Sequence, residues 1–295
     1  MPTTEHDGWR IAIDRGGTFT DVVAHSRLGE VRVFKLLSHP GVEHHALREI
    51  LGSNGRVSAV HVGSTVATNA LLTREGSRTG LVVTRGFGDT LAIGHQARPD
   101  IFDLFGRRPA PLCTDVVEID ERMLADGASE LAPDPAAVSQ ALTALREQGV
   151  ESLAVVLVHG YLHSEHEEAV ASIARSMGFR HVAVSSELVP EQGFLARART
   201  CVAHAFVTPA VQAWAAGLEQ AVPSGADLRF MKSSGGLASP RAFGGIDAVL
   251  SGPAGGVVAC AELARSLGVP AVLGFDMGGT STDVCRWAGE YERRS

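Results

Sequence analysis

The amino-acid sequence predicts an α/β fold. Short apolar, β-branched runs alternate with amphipathic stretches over most of the 295 residues, which is the pattern expected when strands and helices alternate along a chain. The sequence is 45% hydrophobic and only 20% charged, so it contains enough apolar residues for one large core or two smaller ones. A globular protein is therefore expected.

The first part of the sequence has the pattern of a β-meander. Each of three strand-like segments is separated from the next by a glycine-containing turn. A helix, a further strand and a second helix are predicted after the meander, and Ser64 or Thr65 is placed to cap that second helix. The segments are, in order, strands at Trp9 to Asp14, Thr18 to His25 and Val31 to Leu37, a helix at Val42 to Leu51, a strand at Val57 to Val62, and a helix through Asn69 to Thr73.

The middle of the sequence continues the alternation around one long irregular segment. Residues 86–112 are rich in Gly, Pro, Arg and Asp, and a stretch of that length is more often a functional loop than a connector. The predicted elements on either side are strands at Leu81 to Thr84, Asp115 to Ile119, Glu151 to Val158, His181 to Val184 and Leu228 to Met231, and helices opened by Asp134-Pro135, by a Ser164/Glu167 capping box and by Thr208-Pro209.

The last part of the sequence has a different composition. Gly252 to Gly256 is predicted to be a glycine-rich hinge, followed by a small-residue helix at Val257 to Leu267 and an apolar strand at Ala271 to Asp276. The predicted domains are therefore an amino-terminal lobe at residues 1–250 and a hinge helix with the start of a second lobe at residues 251–295.

Composition and charge argue against several classes of protein. With 26 basic and 33 acidic residues the net charge is −7, and no basic stripe follows a face, so no nucleic-acid partner is expected. The four cysteines are far apart in sequence, without a CxxC pair, which fits a reducing cytoplasm better than a disulfide framework. The polar residues Met1 to Arg10 do not resemble a secretory signal, and no apolar run in the sequence is expected to reach membrane-spanning length. A soluble, cytoplasmic protein is expected.

One nine-residue pattern occurs twice. Residues 14–22 and 276–284 both have the sequence D-x-G-G-T-x-T-D-V, and each copy lies between two strand-like segments. A Gly-Gly hairpin turn exposes backbone N–H groups that can hold phosphate oxygens. Threonine hydroxyls add donors, and the carboxylates of Asp14 and Asp276 can orient Mg²⁺ through its waters.

Each copy alone could equally be an ordinary glycine hairpin. Seven identical positions out of nine, at two distant places, favour a shared function, in which two facing hairpins hold the β- and γ-phosphates of one nucleotide. Neither a P-loop nor a Rossmann fingerprint is present. The candidate metal-binding and catalytic residues are Asp14 and Asp276, and the candidate phosphate-binding residues are Gly16, Gly17, Thr18, Thr20, Gly278, Gly279 and Thr280.

The sequence resembles the hydantoinase A / 5-oxoprolinase family in three stretches. They are IAIDRGGTFTDVVA, VGSTVATNALLTREGSRTGLVVTRGFGDTLAIGHQARPDIFDL and LSGPAGGVVACAELARSLGVPAVLGFDMGGTSTDV. The resemblance implies a lobe of the actin/Hsp70/sugar-kinase-like (ribonuclease-H-like) superfold, with a mixed sheet and flanking helices. It also implies ATP- and Mg²⁺-dependent hydrolysis of a small cyclic amide, 5-oxoproline or a hydantoin, by phosphorylation of the ring carbonyl oxygen.

Full-length members of that family continue beyond the point that corresponds to Ser295. We therefore expect a truncated second lobe, and activity that depends on a carboxy-terminal piece or on a companion subunit similar to hydantoinase B. Asp21 and Asp283 are interpreted as residues that only brace their hairpins. Two other classes stay open: a sugar-kinase-like phosphotransferase, and a catalytically incomplete remnant or binding module.

Substrate-binding residues are less sharply indicated. Thr65 and Asn69 are candidates, but a helix cap and a satisfied polar side chain explain them as well. Arg98, in the long loop, has the chemistry to bind a substrate carboxylate, or it forms an ion pair within the loop. Histidines such as His163 and His166 lack a metal-binding pattern and are expected on solvated helix faces.

Overall fold

The computed structural model describes residues 8–51, 56–96, 102, 110–113, 115–277 and 282–291. The chain divides into two compact units, one formed by Met1–Thr73 together with Ala210–Ser295 and the other by Arg74–Pro209. The division predicted between residues 250 and 251 stays a prediction.

The elements of the described residues alternate between strands and helices. The strands are β1 Trp9–Arg15, β2 Phe19–His25, β3 Val31–Leu37, β4 Val57–Ser64, β5 Thr79–Thr84, β6 Asp115–Ile119, β7 Arg122–Met123, β8 Ser129–Leu131, β9 Ser152–Val156, β10 His181–Val184, β11 Asp227–Met231, β12 Leu237–Ala238, β13 Val272–Met277 and β14 Thr282–Trp287. The helices are α1 Val42–Leu51, α2 Val66–Thr73, α3 Thr90–Ile93, α4 Pro135–Glu147, α5 Glu165–Ser176, α6 Ser185–Leu188, α7 Phe194–Ala221, α8 Gly245–Ala248 and α9 Ser251–Leu267.

The first unit is built on a mixed six-stranded sheet. Its strand order is β12-β11-β4-β1-β2-β3. Strands β1, β2 and β3 form the predicted antiparallel meander, whereas β4 pairs parallel with both β1 and β11. Alternate residues of β2, such as Val22 and Ala24, are fully buried, and α1 packs against β2 and β3. The α/β prediction, the meander and the bounds of α1 are confirmed.

The second hairpin of the first unit is the antiparallel pair β13 and β14. Helix α9 packs against it because small residues on one helix face, Ala261 and Ala264, are fully buried next to Trp287. The predicted hinge at Gly252 to Gly256 is wrong. These residues lie inside α9, which begins directly after Leu250, a residue with a positive φ of 58° whose carbonyl accepts the hydrogen bond of the Ala254 N–H.

The second unit contains a four-stranded parallel sheet of order β10-β9-β5-β6. Every residue of β5 and of β9 is buried, as expected of central strands covered on both faces. Helices α4 and α5 supply apolar residues to one cluster with this sheet, including Leu142 and Val170. Residues of α7 such as Cys201 and Val202 belong to the other cluster. Asp134 caps α4 as predicted, since its carboxylate accepts the Ala137 N–H at 3.0 Å.

Helix α7 differs from the sequence prediction in two respects. The sequence predicts a helix that starts at Thr208-Pro209, but Pro209 lies inside the 28-residue α7. The Thr208 hydroxyl donates to the His204 carbonyl at 2.6 Å instead of capping a new helix. By length and composition, α7 also reaches the threshold for crossing a membrane, and half of its most apolar window is buried inside the protein. A core helix of a soluble protein has the same features.

The predicted capping box of α5 is wrong as well. Glu167 is fully buried and its carboxylate accepts hydrogen bonds from the Leu157 N–H, the Ser185 hydroxyl and the Ser186 N–H. The buried Arg197 is its ion-pair partner at 3.4 Å. A buried carboxylate needs several donors because it no longer hydrogen-bonds to water. The partners of Glu167 come from other segments of the chain, so a local sequence pattern does not reveal them.

His166 is not on a solvated face either. It is 6% exposed, its Nδ1 lies 2.6 Å from Glu121 Oε2, and its Nε2 lies 2.9 Å from the Ser129 hydroxyl.

Candidate functional site

A cavity of about 410 Å³ lies in the first unit. It is formed where the turn between β1 and β2, the adjoining ends of β13 and β14, and the first turn of α9 come together. Both copies of the repeated nine-residue pattern therefore contribute residues to one cavity.

The two hairpins have the same register. Asp14 pairs with Asp21 across β1 and β2, and Asp276 pairs with Asp283 across β13 and β14. All four carboxylates line the cavity. The tip of the second hairpin, residues 278–281, lies outside the described residues, so the phosphate-binding role of Gly278, Gly279 and Thr280 stays a prediction.

The first turn is closed by its own backbone. The Gly16 N–H donates to the Phe19 carbonyl at 2.9 Å, and the Gly16 carbonyl accepts the Ser38 hydroxyl at 2.8 Å. Neither Gly16 nor Gly17 has a positive φ. A Cβ on Gly16 would instead lie 2.9 Å from the Phe19 carbonyl oxygen, so glycine is required by this close approach.

Gly17 and Thr18 are exposed to the cavity. Of the described residues, none hydrogen-bonds to the Gly17 N–H. Because the Gly16 N–H is already used within the turn, Gly17 is the better placed of the two glycines to donate to a phosphate.

The structure does not bring Thr20 into the cavity. Its side chain is fully buried, and its hydroxyl lies 2.9 Å from the Ser38 hydroxyl. Successive residues of a strand face opposite sides, so Phe19 and Asp21 face the cavity whereas Thr20 faces the core. The Thr20 hydroxyl supports the turn through Ser38.

Asp14 has an unusual electrostatic environment. Burial raises the pKa of its carboxyl, the nearby Asp276 and Asp21 carboxylates raise it further, and the Lys35 ammonium acts in the opposite direction. Gly63 on β4 lies directly beside it, since a Cβ there would be 3.3 Å from Asp14 Oδ1. A nearby cation stabilises the charged form of a carboxylate whose pKa is raised by burial and by neighbouring carboxylates.

This donor set fits magnesium. Among the described residues, no group of three or more His, Cys, Asp or Glu side chains could enclose a metal ion. Mg²⁺ commonly uses one or two carboxylates and takes its other ligands from water and phosphate. Asp14 and Asp276 would hold it in that way.

The amino terminus of α9 also lines the cavity, through Gly252 and Pro253. It is attached to the end of β4 because the Ser251 hydroxyl donates to the Ser64 carbonyl at 2.8 Å. The amino-terminal end of a helix carries a partial positive charge and unpaired N–H groups, which favour anions. Sequence reasoning missed this contribution, although a Ser-Gly-Pro start is a signal for a helix amino terminus.

The predicted substrate residues have different placements. Thr65 lines the cavity, and its hydroxyl lies 3.2 Å from the Arg15 carbonyl and 3.1 Å from Asn69 Nδ2. Asn69 does not line the cavity. Its side-chain amide donates to the Thr65 hydroxyl, as expected of a polar side chain that hydrogen-bonds locally, at the start of its own helix, and not of a substrate-binding residue. Ser64 rather than Thr65 caps α2, by accepting the Val66 N–H at 3.0 Å. Arg98 lies outside the described residues.

Comparison with solved structures defines the class of fold. The chain is similar to the crystal structure of the ATP-dependent caprolactamase from Pseudomonas jessenii, with a TM-score of 0.80, 29% identity and coverage of 94% of this chain and 43% of that one. It also has the fold of a nucleotide-free acetone carboxylase, with a TM-score of 0.79, 23% identity and coverage of 95% and 44%. The protein therefore has an α/β fold of the actin-like ATPase type, with a mixed sheet and flanking helices.

Sequence comparison defines the family. Residues 10–178 match "Hydantoinase/oxoprolinase N-terminal region" and residues 197–295 match "Hydantoinase/oxoprolinase". The chain belongs to the hydantoinase/oxoprolinase family.

The chain is similar in sequence to proteins named 5-oxoprolinase and to a caprolactamase subunit. It is 40% identical to 5-oxoprolinase 1 of Arabidopsis thaliana over 99% of this chain, and 37% identical to the 5-oxoprolinase of Saccharomyces cerevisiae over 94% of it. It is 30% identical to the caprolactamase subunit alpha of Pseudomonas jessenii, with coverage of 94% of this chain and 43% of that subunit. The chain spans 26% of the length of either 5-oxoprolinase.

Proposed function

We propose that this chain is the amino-terminal part of the catalytic subunit of an enzyme that uses ATP to hydrolyse a cyclic amide. The observation that supports the proposal is the meeting of Asp14 and Asp276, from two hairpins of the same sequence and register, in one cavity. Family membership and the named relatives point to the same reaction class.

The chemistry of the substrate explains the need for a nucleotide. An unstrained lactam is stabilised by resonance, and its nitrogen is a poor leaving group. Transfer of the terminal phosphoryl group of ATP to the ring carbonyl oxygen makes the ring carbon electrophilic. Water then attacks that carbon, the carbon–nitrogen bond breaks, and phosphate is released together with the ring-opened amino acid.

The residues of the cavity suit the phosphoryl-transfer step. Gly17, Thr18 and the amino terminus of α9 would supply neutral donors and partial positive charge to the phosphates. Magnesium held by Asp14 and Asp276 would offset the charge that develops on the transferred group. Such sites act mainly by positioning and by electrostatic stabilisation.

The substrate is proposed from the relatives. Two of them are named 5-oxoprolinase and another is a subunit of a caprolactamase, so 5-oxoproline is the first candidate and a hydantoin the second. Because the chain spans about a quarter of the 5-oxoprolinases, we propose that a carboxy-terminal piece or a companion subunit completes the substrate site. A cytoplasmic location is part of the same proposal.

The test is ATP-dependent phosphate release with 5-oxoproline or hydantoin, measured with this chain joined to the remainder of a family member. Asp14→Ala and Asp276→Ala should each abolish release while the far-ultraviolet circular dichroism spectrum stays unchanged. Asp227→Ala is the matched control, because Asp227 lies in the same unit, is exposed, pairs with Arg229 and does not line the cavity.

Three results would contradict the proposal. If Asp14→Ala or Asp276→Ala retains full turnover, the replaced aspartate does not have the metal-binding role proposed for it. A stable phosphorylated product would point to a sugar-kinase-like phosphotransferase. No binding of ATP and Mg²⁺ would leave only a non-catalytic module.

A further inference from the structure

A row of three charged residues crosses the outward face of the meander. Asp14 on β1 pairs with Asp21 on β2, and Asp21 pairs with Lys35 on β3. All three line the cavity. Two carboxylates directly opposite each other on neighbouring strands repel, so the ammonium at the end of the row compensates for a charge arrangement that would otherwise destabilise the free protein.

Lys35 is held in place but keeps a free donor. Its Nζ lies 2.9 Å from Asp21 Oδ1 and 2.8 Å from Asp21 Oδ2, and 5.1 Å from the centroid of the Phe19 ring. An ammonium has three N–H donors, so one remains after the two contacts to Asp21. The side chain is 59% exposed, which leaves that donor open to a ligand.

The charge of the cavity calls for such a group. Its described lining contains four aspartates and, as the one cation, Lys35. A bound triphosphate adds several negative charges, of which one Mg²⁺ neutralises only part. Lys35 is also one of only two lysines among the 26 basic residues of the chain. A lysine presents a compact charge with rotatable donors, whereas an arginine presents a planar fork.

We propose that Lys35 binds the terminal phosphate of the nucleoside triphosphate, with Asp21 as the residue that positions its ammonium. This inference rests on the nucleotide site proposed above and adds to that site a residue outside the repeated pattern. Neighbouring strands are about 4.8 Å apart, so Lys35 begins about 10 Å from Asp14, within reach of the phosphates that a metal at Asp14 would contact.

The test compares ATP with ADP. Binding of each nucleotide with Mg²⁺ is measured by isothermal titration calorimetry on the full chain and on Lys35→Met, Lys35→Arg and Lys232→Met. Lys232 is the matched control, because it is the other lysine, pairs with Asp247 at 2.9 Å and does not line the cavity. Thermal unfolding of each variant verifies the fold, and exposed ion pairs contribute little to stability.

We expect Lys35→Met to weaken ATP binding about tenfold and ADP binding less than about twofold, because a charge-assisted hydrogen bond to one phosphate is lost. Lys35→Arg should restore only part of the ATP affinity, because the guanidinium keeps the charge but not the compact geometry of the ammonium, and Lys232→Met should bind both nucleotides like the unmodified chain.

Equal ATP affinity of Lys35→Met and the unmodified chain would overturn this inference and leave the nucleotide site standing. Equal weakening for ATP and ADP would overturn the assignment to the terminal phosphate. Failure of the unmodified chain to bind ATP would overturn the nucleotide site together with the inference.

Discussion

Replacing Gly16 by alanine is expected to damage the first hairpin specifically. The new methyl carbon would lie 2.9 Å from the Phe19 carbonyl oxygen, whereas ordinary contacts begin at 3.4 Å. The carbonyl must therefore retreat by about 0.5 Å, and it is the acceptor of the Gly16 N–H at 2.9 Å. Loss of one hydrogen bond costs about 1 kcal/mol, and relief of a backbone clash brings the total to roughly 1–3 kcal/mol.

The assay combines thermal unfolding with titration of ATP and Mg²⁺. A loss of this size lowers the Tm by roughly 2–4 °C per kcal/mol in a protein of this size class, and the displaced turn should weaken nucleotide binding about tenfold or more. Gly217→Ala is the control, and it is expected to raise the stability of the protein instead of lowering it. Gly217 lies in α7 with no heavy atom within 4 Å of an added Cβ, and alanine is favoured over glycine in a helix by about 0.5–1 kcal/mol.

The reasoning fails if Gly16→Ala keeps both its Tm and its ATP affinity. It also fails if Gly217→Ala destabilises the protein as much as Gly16→Ala does, because the effect would then not depend on the Phe19 carbonyl.

Two further predictions concern the same hairpin. Thr20→Val should lower stability by about 1 kcal/mol, because the hydrogen bond between the fully buried Thr20 and the Ser38 hydroxyl is lost, yet change ATP affinity less than about twofold in calorimetry; a tenfold loss would restore Thr20 as a phosphate ligand. Asp14 has a raised pKa, so the native state binds more protons than the unfolded state, and stability should fall as the pH rises from 3.8 through the raised pKa. Asp14→Asn should remove that fall when urea unfolding is followed from pH 3.5 to 7 in chelator, and an unchanged pH dependence would contradict this account.

Local patterns were sufficient for most of the fold. Strands such as Val31–Leu37 and Asp115–Ile119 have the predicted bounds, because short runs rich in apolar and β-branched residues mark a strand locally. The α4 cap at Asp134 is likewise indicated by a local pattern. The repeated nine-residue pattern also indicated which residues line the cavity, because residues from both copies of the hairpin lie there.

The wrong predictions share a physical cause. In each case contacts with distant parts of the chain override the structure that the local sequence pattern favours. Glu167 has the right spacing for a capping box but is used by buried donors from other elements. Pro209 has the right flanks for a helix start but is accommodated inside α7. Lys35 was missed because its place in the cavity depends on pairing between β2 and β3, although its position opposite Asp21 could have been read from the predicted meander.

The central claim is that both hairpins hold the phosphates of one nucleotide, and a crystal structure with a non-hydrolysable ATP analogue and Mg²⁺ tests it most directly. The account predicts the metal between Asp14 and Asp276, with the phosphate chain in contact with Gly17 and the amino terminus of α9. Phosphates bound to only one hairpin, or at a place that neither carboxylate reaches, would contradict it.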